Sequence, residues 1–314
     1  MTTSLVTGGA GFIGSHIVEE LVRRGHAVRV LDDFSTGKAA NLSAVRDRVD
    51  VIEGDVRDLA ACRRAAAGAD FVFHEAAQIS VPKSVEDPFL NDGINVGGTL
   101  NVLWAAKEAG AKKLVFASST SVYGDNPDLP KRETMSGVPL SPYALSKWIG
   151  ERYCQSFSRI YGLPTVALRY FNVFGPRQDP RSQYAAAVPI FITRMLAGEP
   201  PVIYGDGEQT RDFVFVEDVA QANLLAAEAT GVSGEVFNVA SAESLTVNRL
   251  ARTIADVLGR ALTPIYAPER AGDIRHSAAD IDKIEAVLGY SPRFDFRRGL
   301  ERTIAWYREQ RSSS

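Results

Sequence analysis

The chain has 314 residues, 45% hydrophobic and 23% charged, enough apolar material for one large domain or two intimate ones and too much for a disordered chain. A formal net charge of −3 removes any bulk electrostatic reason to bind nucleic acid or an anionic membrane, so cationic binding sites must be local. No apolar run reaches the roughly 18 residues of a membrane span and no charged and apolar leader opens the chain, so a cytoplasmic protein is expected.

Short apolar runs alternate with helical-period stretches through the first half: Leu5-Val6, Val28 to Leu31, Val49 to Ile52, Phe71 to Phe73 and Leu114 to Phe116. Ile13, Ile17 and Leu21 form the first helical face between them. The runs are continuous, as in strands buried on both faces, which predicts an α/β fold with a doubly wound parallel sheet of Rossmann type. Further strands are expected at Thr165 to Leu168 and Val236 to Val239. Proline- and glycine-richer stretches, Phe174 to Gly207 and Leu262 to Arg293, break the rhythm and predict a smaller C-terminal substrate-binding lobe, with a cleft over the strand ends. The expected division is 1–173 with 208–240 returning to it, against 174–207 and 241–314. A last helix, Arg298 to Arg311, carries Leu300, Ile304 and Tyr307 on one face, and the tail Ser312-Ser313-Ser314 is expected to fray. Cys62 and Cys154 fall in predicted helices and read as reduced thiols, neither a good nucleophile candidate.

The segment TGGAGFIG, Thr7 to Gly14, follows the first predicted strand directly and opens the first helix. Gly8 and Gly11 allow a tight turn and close approach of a pyrophosphate, Gly14 lets helix and strand pack closely, and the helix N-terminus offers unpaired N–H groups. Asp32 ends the second strand 18 residues after Gly14, where a carboxylate accepts hydrogen bonds from an adenosine ribose. A structural turn uses glycines too, but the strand-turn-helix setting and Asp32 favour a dinucleotide site. Asp32 and Asp33 together repel a 2′-phosphate, which favours NAD over NADP.

Tyr143 and Lys147 stand four residues apart on one face of a long predicted helix, Pro142 to Tyr161. There an ammonium would lower the phenol pKa from about 10 and let the phenolate take a hydroxyl proton, making the carbon a hydride donor. With ten tyrosines in the chain such a pair arises easily by chance, and a surface tyrosine beside a lysine is the bland alternative. The balance shifts with Ala117-Ser118-Ser119-Thr120-Ser121 at a strand end, where a doubly wound sheet presents ligand-binding groups. A hydroxyl of Ser118, Ser119 or Thr120 can there bond the same substrate oxygen as the phenol.

The loop TGGAGFIG, the strand end SSTSVYG and the helix segment YALSK resemble the extended short-chain dehydrogenase/reductase superfamily, and within it the nucleotide-sugar 4-epimerases such as UDP-glucose 4-epimerase and UDP-N-acetylglucosamine 4-epimerase. The likeness runs on through HEAAQ, INVGGTLNV, LRYFNVFGPRQ, GDGEQTRDFVFVEDVA and ERAGDIRHSAADI. It implies Ser119 as catalytic serine, Tyr143 as acid/base and Lys147 as a helper that also bonds the nicotinamide ribose. It further implies that Gly8, Gly11, Phe12, Ile13, Asp32, Asp55, Val56, Ala76, Asn95 and Tyr170 line an NAD site. By the same likeness, Asn172, Arg211, Arg270 and Asp273 hold the nucleotide diphosphate and its ribose, guanidinium groups being suited to bidentate phosphate contacts. The helices near Leu100 to Ala109 and Tyr143 to Tyr161 resemble those of a four-helix homodimer interface.

The implied reaction on a UDP-sugar is epimerisation at C4. Tyr143 removes the 4-hydroxyl proton, hydride passes to NAD, the 4-keto sugar turns, and hydride returns to the other face. Dehydratases and some decarboxylases of the superfamily carry acidic groups after the catalytic hydroxyl, where this chain has Thr120 and Ser121, and uronate-processing relatives tend to have threonine where it has Asn172. Other reactions of the same machinery, dehydration, reduction or decarboxylation, and a non-catalytic NAD-binding regulator are the alternatives. By the same likeness, through ERAGDIRHS, Ser277 is the wall of the sugar pocket, where a bulky tyrosine restricts the site and a small residue admits a 2-acetamido group; with Ala185, Ala186 and Ala187 before Pro189, UDP-N-acetylglucosamine is expected as well as UDP-glucose. His16, His26, His74 and His276 show no metal-ligand spacing; His74 is read as holding the loop after its strand, and Phe213 as a candidate neighbour of the base or ribose.

Overall fold

The computed structural model describes residues 1–180, 187–269 and 275–312. Arg270 and Asp273, Ala185 and Ala186, and the end of the serine tail lie outside the described residues. In chain order, β1 (Thr3–Thr7) leads through α1 (Phe12–Arg23) to β2 (Ala27–Asp32), and β3 (Val49–Glu53) through α2 (Leu59–Ala66) to β4 (Phe71–His74). Short helices α3 (Val81–Glu86) and α4 (Pro88–Asp92) precede α5 (Gly98–Glu108), β5 (Lys113–Ser119), α6 (Pro142–Ser156) and β6 (Thr165–Tyr170). Then come β7 (Asn172–Phe174), α7 (Ala187–Leu196), β8 (Val202–Tyr204), β9 (Thr210–Phe215), α8 (Val216–Glu228) and β10 (Glu235–Val239). The chain closes with β11 (Ser244–Thr246), α9 (Val247–Leu258), β12 (Ile265–Ala267), α10 (Asp282–Leu288) and α11 (Phe296–Ser312).

Seven strands form one sheet in the order β10-β6-β5-β4-β1-β2-β3, with every neighbouring pair parallel. Successive side chains of each strand serve opposite faces. Val6, Val30, Phe73, Val115 and Leu168 pack with Ile17 and Leu21 of α1 and Leu224 of α8. Leu5, Leu31, Val72, Leu114 and Ala167 pack instead with Ala61 of α2, Leu103 of α5 and Cys154 of α6. Continuous apolar runs are what two such layers demand. In the outer strand β3 no residue is fully buried: two of its five are exposed and three half-buried.

The chain works outward from β1 to β3 and then returns to start again at β4 on the other side of β1. This reversal opens a crevice at the carboxyl ends of β1 and β4, whose last residues, Thr7 and His74, are register partners. Gly8 and Glu75, the next residues of each strand, therefore stand on either side of the crevice.

The smaller lobe holds a three-stranded sheet, β11-β9-β7, and a two-stranded one, β12-β8. Its core joins Phe174, Phe213 and Phe215 to Leu250 and Ile254 of α9 and to Phe296, Leu300, Ile304 and Tyr307 of α11. The stretch 208–240 is shared: β9 lies in this smaller sheet, paired to β7 and β11, while α8 and β10 complete the large one. Among the described residues no helix is long and apolar enough to cross a membrane.

Candidate active site

The glycine loop is fixed by contact at two positions. Gly8 has φ +68°, and a methyl there would sit 2.7 Å from the Ala76 nitrogen; a methyl at Gly14 would sit 2.2 Å from the Gly8 carbonyl oxygen. Gly11 caps α1 with no side-chain hydrogen bond and no acid stands in the first turn, so the N–H groups at Phe12, Ile13 and Gly14 are left for an anion. Asp32 is buried at the end of β2, where Oδ2 accepts from the Ala10 N–H at 2.8 Å and Oδ1 from the Phe34 N–H at 2.9 Å. Burial pushes its carboxyl up, and the two backbone donors pull it part of the way back.

Ala76 lies directly against Gly8; Val56, Asn95 and Tyr170 are buried; and Asp55 is paired to Arg57 (Nε donating to Oδ2 at 2.8 Å). Asn95 is buried and spoken for: its Oδ1 accepts from the Gln78 N–H at 2.8 Å, and its Nδ2 lies 2.9 Å from the Gln78 carbonyl and 3.0 Å from Ser146 Oγ. It ties the loop after β4 to α6. His74 does the same for β1 and α5, bonding Thr7 Oγ1 at 2.7 Å and Thr99 Oγ1 at 3.0 Å, and burial lowers its pKa to about 3.

The helix bearing Tyr143 begins where its sequence says it should. Pro142 occupies the first turn and Ser141 Oγ accepts from the Ala144 N–H at 3.1 Å. Ser84 of α3 accepts from the Tyr143 N–H at 3.1 Å, fixing the backbone beneath the phenol. The phenol lies near enough to the Ser119 hydroxyl at the end of β5 for that group to pull its pKa down, and Ser119 Oγ accepts from Ser121 Oγ at 3.0 Å. Ser118 is turned to the other face, buried, with Oγ donating to Glu151 at 2.6 Å. Strand alternation thus separates the two serines, and only Ser119 meets the phenol.

Lys147 is buried on the same helix face, with Nζ donating to the Ala117 carbonyl at 2.8 Å and lying 6.0 Å from the centre of the Tyr143 ring. Burial lowers its pKa to about 8, against the pull of the Glu75 carboxylate. The phenol itself is raised: burial outweighs the Ser119 hydrogen bond. The expected lowering of the phenol by the ammonium is not found: burial dominates, and Lys147 Nζ stands 6.0 Å from the centre of the ring.

On the lobe side, Asn172 begins β7 and donates from Nδ2 to the Asp212 carbonyl at 3.1 Å. Arg211 on β9 donates from Nη1 to the Thr210 carbonyl at 2.8 Å, and the Ser277 N–H donates to that same carbonyl at 3.1 Å. Asn172, Arg211 and half-buried Ser277 are thereby brought to one small sheet that follows directly on Tyr170. Arg270 and Asp273 lie outside the described residues. Phe213 is buried in the lobe core, its ring centre 5.5 Å from that of Phe296 and 6.4 Å from that of Phe174.

A family model described as the NAD dependent epimerase/dehydratase family matches residues 4–240. The chain belongs to that family. It is 45% identical to the solved UDP-N-acetylglucosamine 4-epimerase of Methanobrevibacter ruminantium in complex with UDP-N-acetylmuramic acid, over 98% of this chain and 99% of that one, with a TM-score of 0.94. The UDP-glucose 4-epimerase of Thermotoga maritima, solved with UDP-glucose, is 40% identical over 98% and 99% of the two chains, TM-score 0.93. The UDP-glucose 4-epimerase of Mycolicibacterium smegmatis is 39% identical over 315 residues, covering 98% and 99%.

Within this member of the epimerase/dehydratase family the structure adds residues to which the sequence alone assigned no part. Glu75 accepts from the Tyr170 hydroxyl at 2.8 Å, and that oxygen accepts in turn from Asn223 Nδ2 at 2.7 Å. Burial raises the Glu75 pKa to about 7, while Tyr170 and Lys147 hold it down. A carboxylate at a strand end inside HEAAQ was a visible signal; Asn223 and Ser84, brought in from distant helices, left none. The thiols of Cys62 and Cys154 are free, buried and pushed up by burial, Cys62 to about 12.

Proposed function

We propose that this chain is an NAD-dependent nucleotide-sugar 4-epimerase, an isomerase acting on UDP-glucose and UDP-galactose and also on their 2-acetamido counterparts. The observation that carries the reading is Tyr143 facing Ser119 at the end of β5, in a sheet whose first strand leads through a glycine loop to an uncapped helix N-terminus. The loop fits the cofactor: methyls at Gly8 or Gly14 would run into backbone and push the loop out of shape, and the free first turn of α1 suits a pyrophosphate. Gly8, Gly11, Phe12, Ile13, Gly14, Asp32, Asp55, Val56, Ala76, Asn95 and Tyr170 would hold NAD, with Lys147 on the nicotinamide ribose. On this division residues 1–173, with 208–240 returning to them, form the cofactor domain, and 174–207 with 241–314 make up most of the sugar-nucleotide lobe, to which Asn172 and Arg211 of the small sheet are added.

When bound, NAD accepts and later returns the hydride at C4. Ser119 holds the 4-hydroxyl oxygen, and Tyr143 takes its proton and gives it back after the 4-keto sugar has turned about its diphosphate. Lys147, an ammonium below about pH 8 and 6.0 Å from the centre of the Tyr143 ring, would place its positive charge beside the phenol as that group gives up its proton. Asn172, Arg211, Arg270 and Asp273 would hold the nucleotide and diphosphate, and Ser277 would wall the sugar pocket. Dehydration and carboxyl loss lack their acid: Thr120 and Ser121 follow Ser119, and the Ser121 hydroxyl is bonded to Ser119 itself.

NMR of the purified protein with UDP-, dTDP- and GDP-sugars and no added NAD tests the reading. An isomer of unchanged mass is expected from the UDP-sugars, while a product lighter by water or carbon dioxide rejects it. Tyr143→Phe should lower kcat by about 10²–10⁴; full turnover would remove the phenol from the mechanism.

A homodimer is part of the same proposal. Along α4 and α6, Phe89 is 88%, Leu140 63% and Leu145 43% exposed, and these side chains with Ile149 line an apolar groove of 590 Å³. A second copy packing its own α5 and α6 there accounts for that surface, and a monomer in sedimentation equilibrium at micromolar concentration would reject it. Two buried, unpaired thiols suit a reducing, cytoplasmic setting.

A further inference from the structure

Towards the C-terminal end of α6, beyond the exposed groove, lies a second cavity of 380 Å³, between that helix and the outer strand β10. Four cationic side chains line it: Arg152 and Arg159 from α6 and its last turn, Arg169 from β6, and Lys283 from α10. Two carboxylates, Glu133 and Glu235, oppose them. Both are engaged, since Glu235 accepts from Lys283 Nζ at 2.7 Å and Glu133 from the Asn238 N–H at 2.7 Å.

Arg169 is the unusual member. It is only 2% exposed, and Nε and Nη2 donate to the two oxygens of Glu151 at 2.8 and 2.7 Å, with the guanidinium 4.6 Å over the Tyr123 ring. Its Nη1 is buried and has no acceptor among the described residues. A guanidinium nitrogen deprived of both water and acceptor is a costly arrangement, and native proteins rarely leave one without a purpose. Arg152 reaches Glu151 only at 3.4 Å, because Arg169 already holds that carboxylate, and the exposed Arg159 makes no ion pair among the described residues. The cavity therefore has an excess of positive charge, with guanidinium groups suited to bidentate contact with oxyanions.

We propose that this cavity is a second ligand site, separate from the crevice at the strand ends, that binds a small oxyanion, a phosphate monoester or a carboxylate. Arg169 and Tyr170 are consecutive on β6 and face opposite sides of the sheet, so the niche and the Glu75–Tyr170 network share a strand but no wall. Glu151, held by Arg169, also accepts from Ser118 Oγ, whose neighbour is Ser119. The niche is thus joined to the catalytic strand end through two hydrogen bonds.

The holoenzyme saturated with UDP, so that the diphosphate site is filled, is titrated calorimetrically at low ionic strength with inorganic phosphate and, separately, with citrate. One saturable site per chain is expected, weakened at least tenfold in an Arg152→Gln/Arg159→Gln double variant whose altered positions lie at the cavity rim. Phosphate alone binding assigns a monoester, citrate alone a carboxylate. Arg169→Lys, checked for unchanged circular dichroism, should abolish binding. No saturable heat with either anion means that the cavity holds water only, and equal affinity in the wild type and the rim variant places the anion elsewhere; either overturns the proposal.

Discussion

Lys147 donates its hydrogen bond to the carbonyl of Ala117, not to Tyr143, the phenol one turn before it on the same helix. The ammonium thus acts on the site as a nearby charge, and its own ionisation is balanced between burial, which lowers it to about 8, and the Glu75 carboxylate, which raises it. Replacing Glu75 by Gln removes the raising charge, so the Lys147 pKa falls and the ammonium is lost at lower pH. The alkaline limb of kcat/KM in Glu75→Gln should therefore move to lower pH, measured with UDP-glucose from pH 6 to 10. An unmoved limb would separate Glu75 from the lysine.

Gly14→Ala places a methyl 2.2 Å from the Gly8 carbonyl, a backbone atom that cannot swing aside. Helix α1 must shift off the loop, taking the N–H groups of its first turn with it. NAD affinity should fall at least tenfold, about 1.4 kcal/mol, and the purified variant should carry less NAD on acid release. Stoichiometric NAD with unchanged affinity would mean that the first turn of α1 is not its pyrophosphate site.

How far the sequence carried this picture depends on which forces were local. Strands β1, β2 and β4 to β6 were readable because two helical layers demand continuous apolar runs, and the loop because Gly8 and Gly14 answer to contacts within a few residues or with the adjacent strand. Ser118 and Ser119 could not be told apart, since alternation fixes the face only once one side chain is placed. The direction of the Tyr143 shift was misjudged because it turns on burial of the phenol, which the spacing of two residues on a helix does not show. The pairing of β9 with the small sheet was hidden because its partners β7 and β11 are only three residues each, too short to show a period. Glu75 and Tyr170 meet across 95 residues, a distance at which pattern carries nothing.

The Glu151–Arg169 pair is buried, both side chains at 2% exposure or less, so its two members do not make equal mutants. Glu151→Leu leaves a guanidinium without a counter-charge and the Ser118 hydroxyl without its acceptor, which should cost about 3–5 kcal/mol in urea unfolding. A Glu151→Leu/Arg169→Met double variant removes both charges and should recover most of that loss. Equal losses in the single and double variants would show that packing, not charge, governs the site.

Ser277 offers the cleanest test of sugar choice because its recorded hydrogen bonds are made by the main chain. Its N–H donates to the Thr210 carbonyl at 3.1 Å and its carbonyl accepts from Ser244 Oγ at 3.0 Å, so a new side chain leaves both in place. A tyrosine there would project from a half-buried position beside the strand bearing Arg211, filling space that a 2-acetamido group needs and a 2-hydroxyl does not. In Ser277→Tyr, kcat/KM for UDP-N-acetylglucosamine should fall by about 10–200-fold, the range that pocket sterics can deliver, with UDP-glucose turnover kept within a few-fold. NMR progress curves for the two sugars on one enzyme preparation measure the ratio. Loss of both activities together would place Ser277 in general substrate binding, and loss of neither would remove it from the sugar pocket.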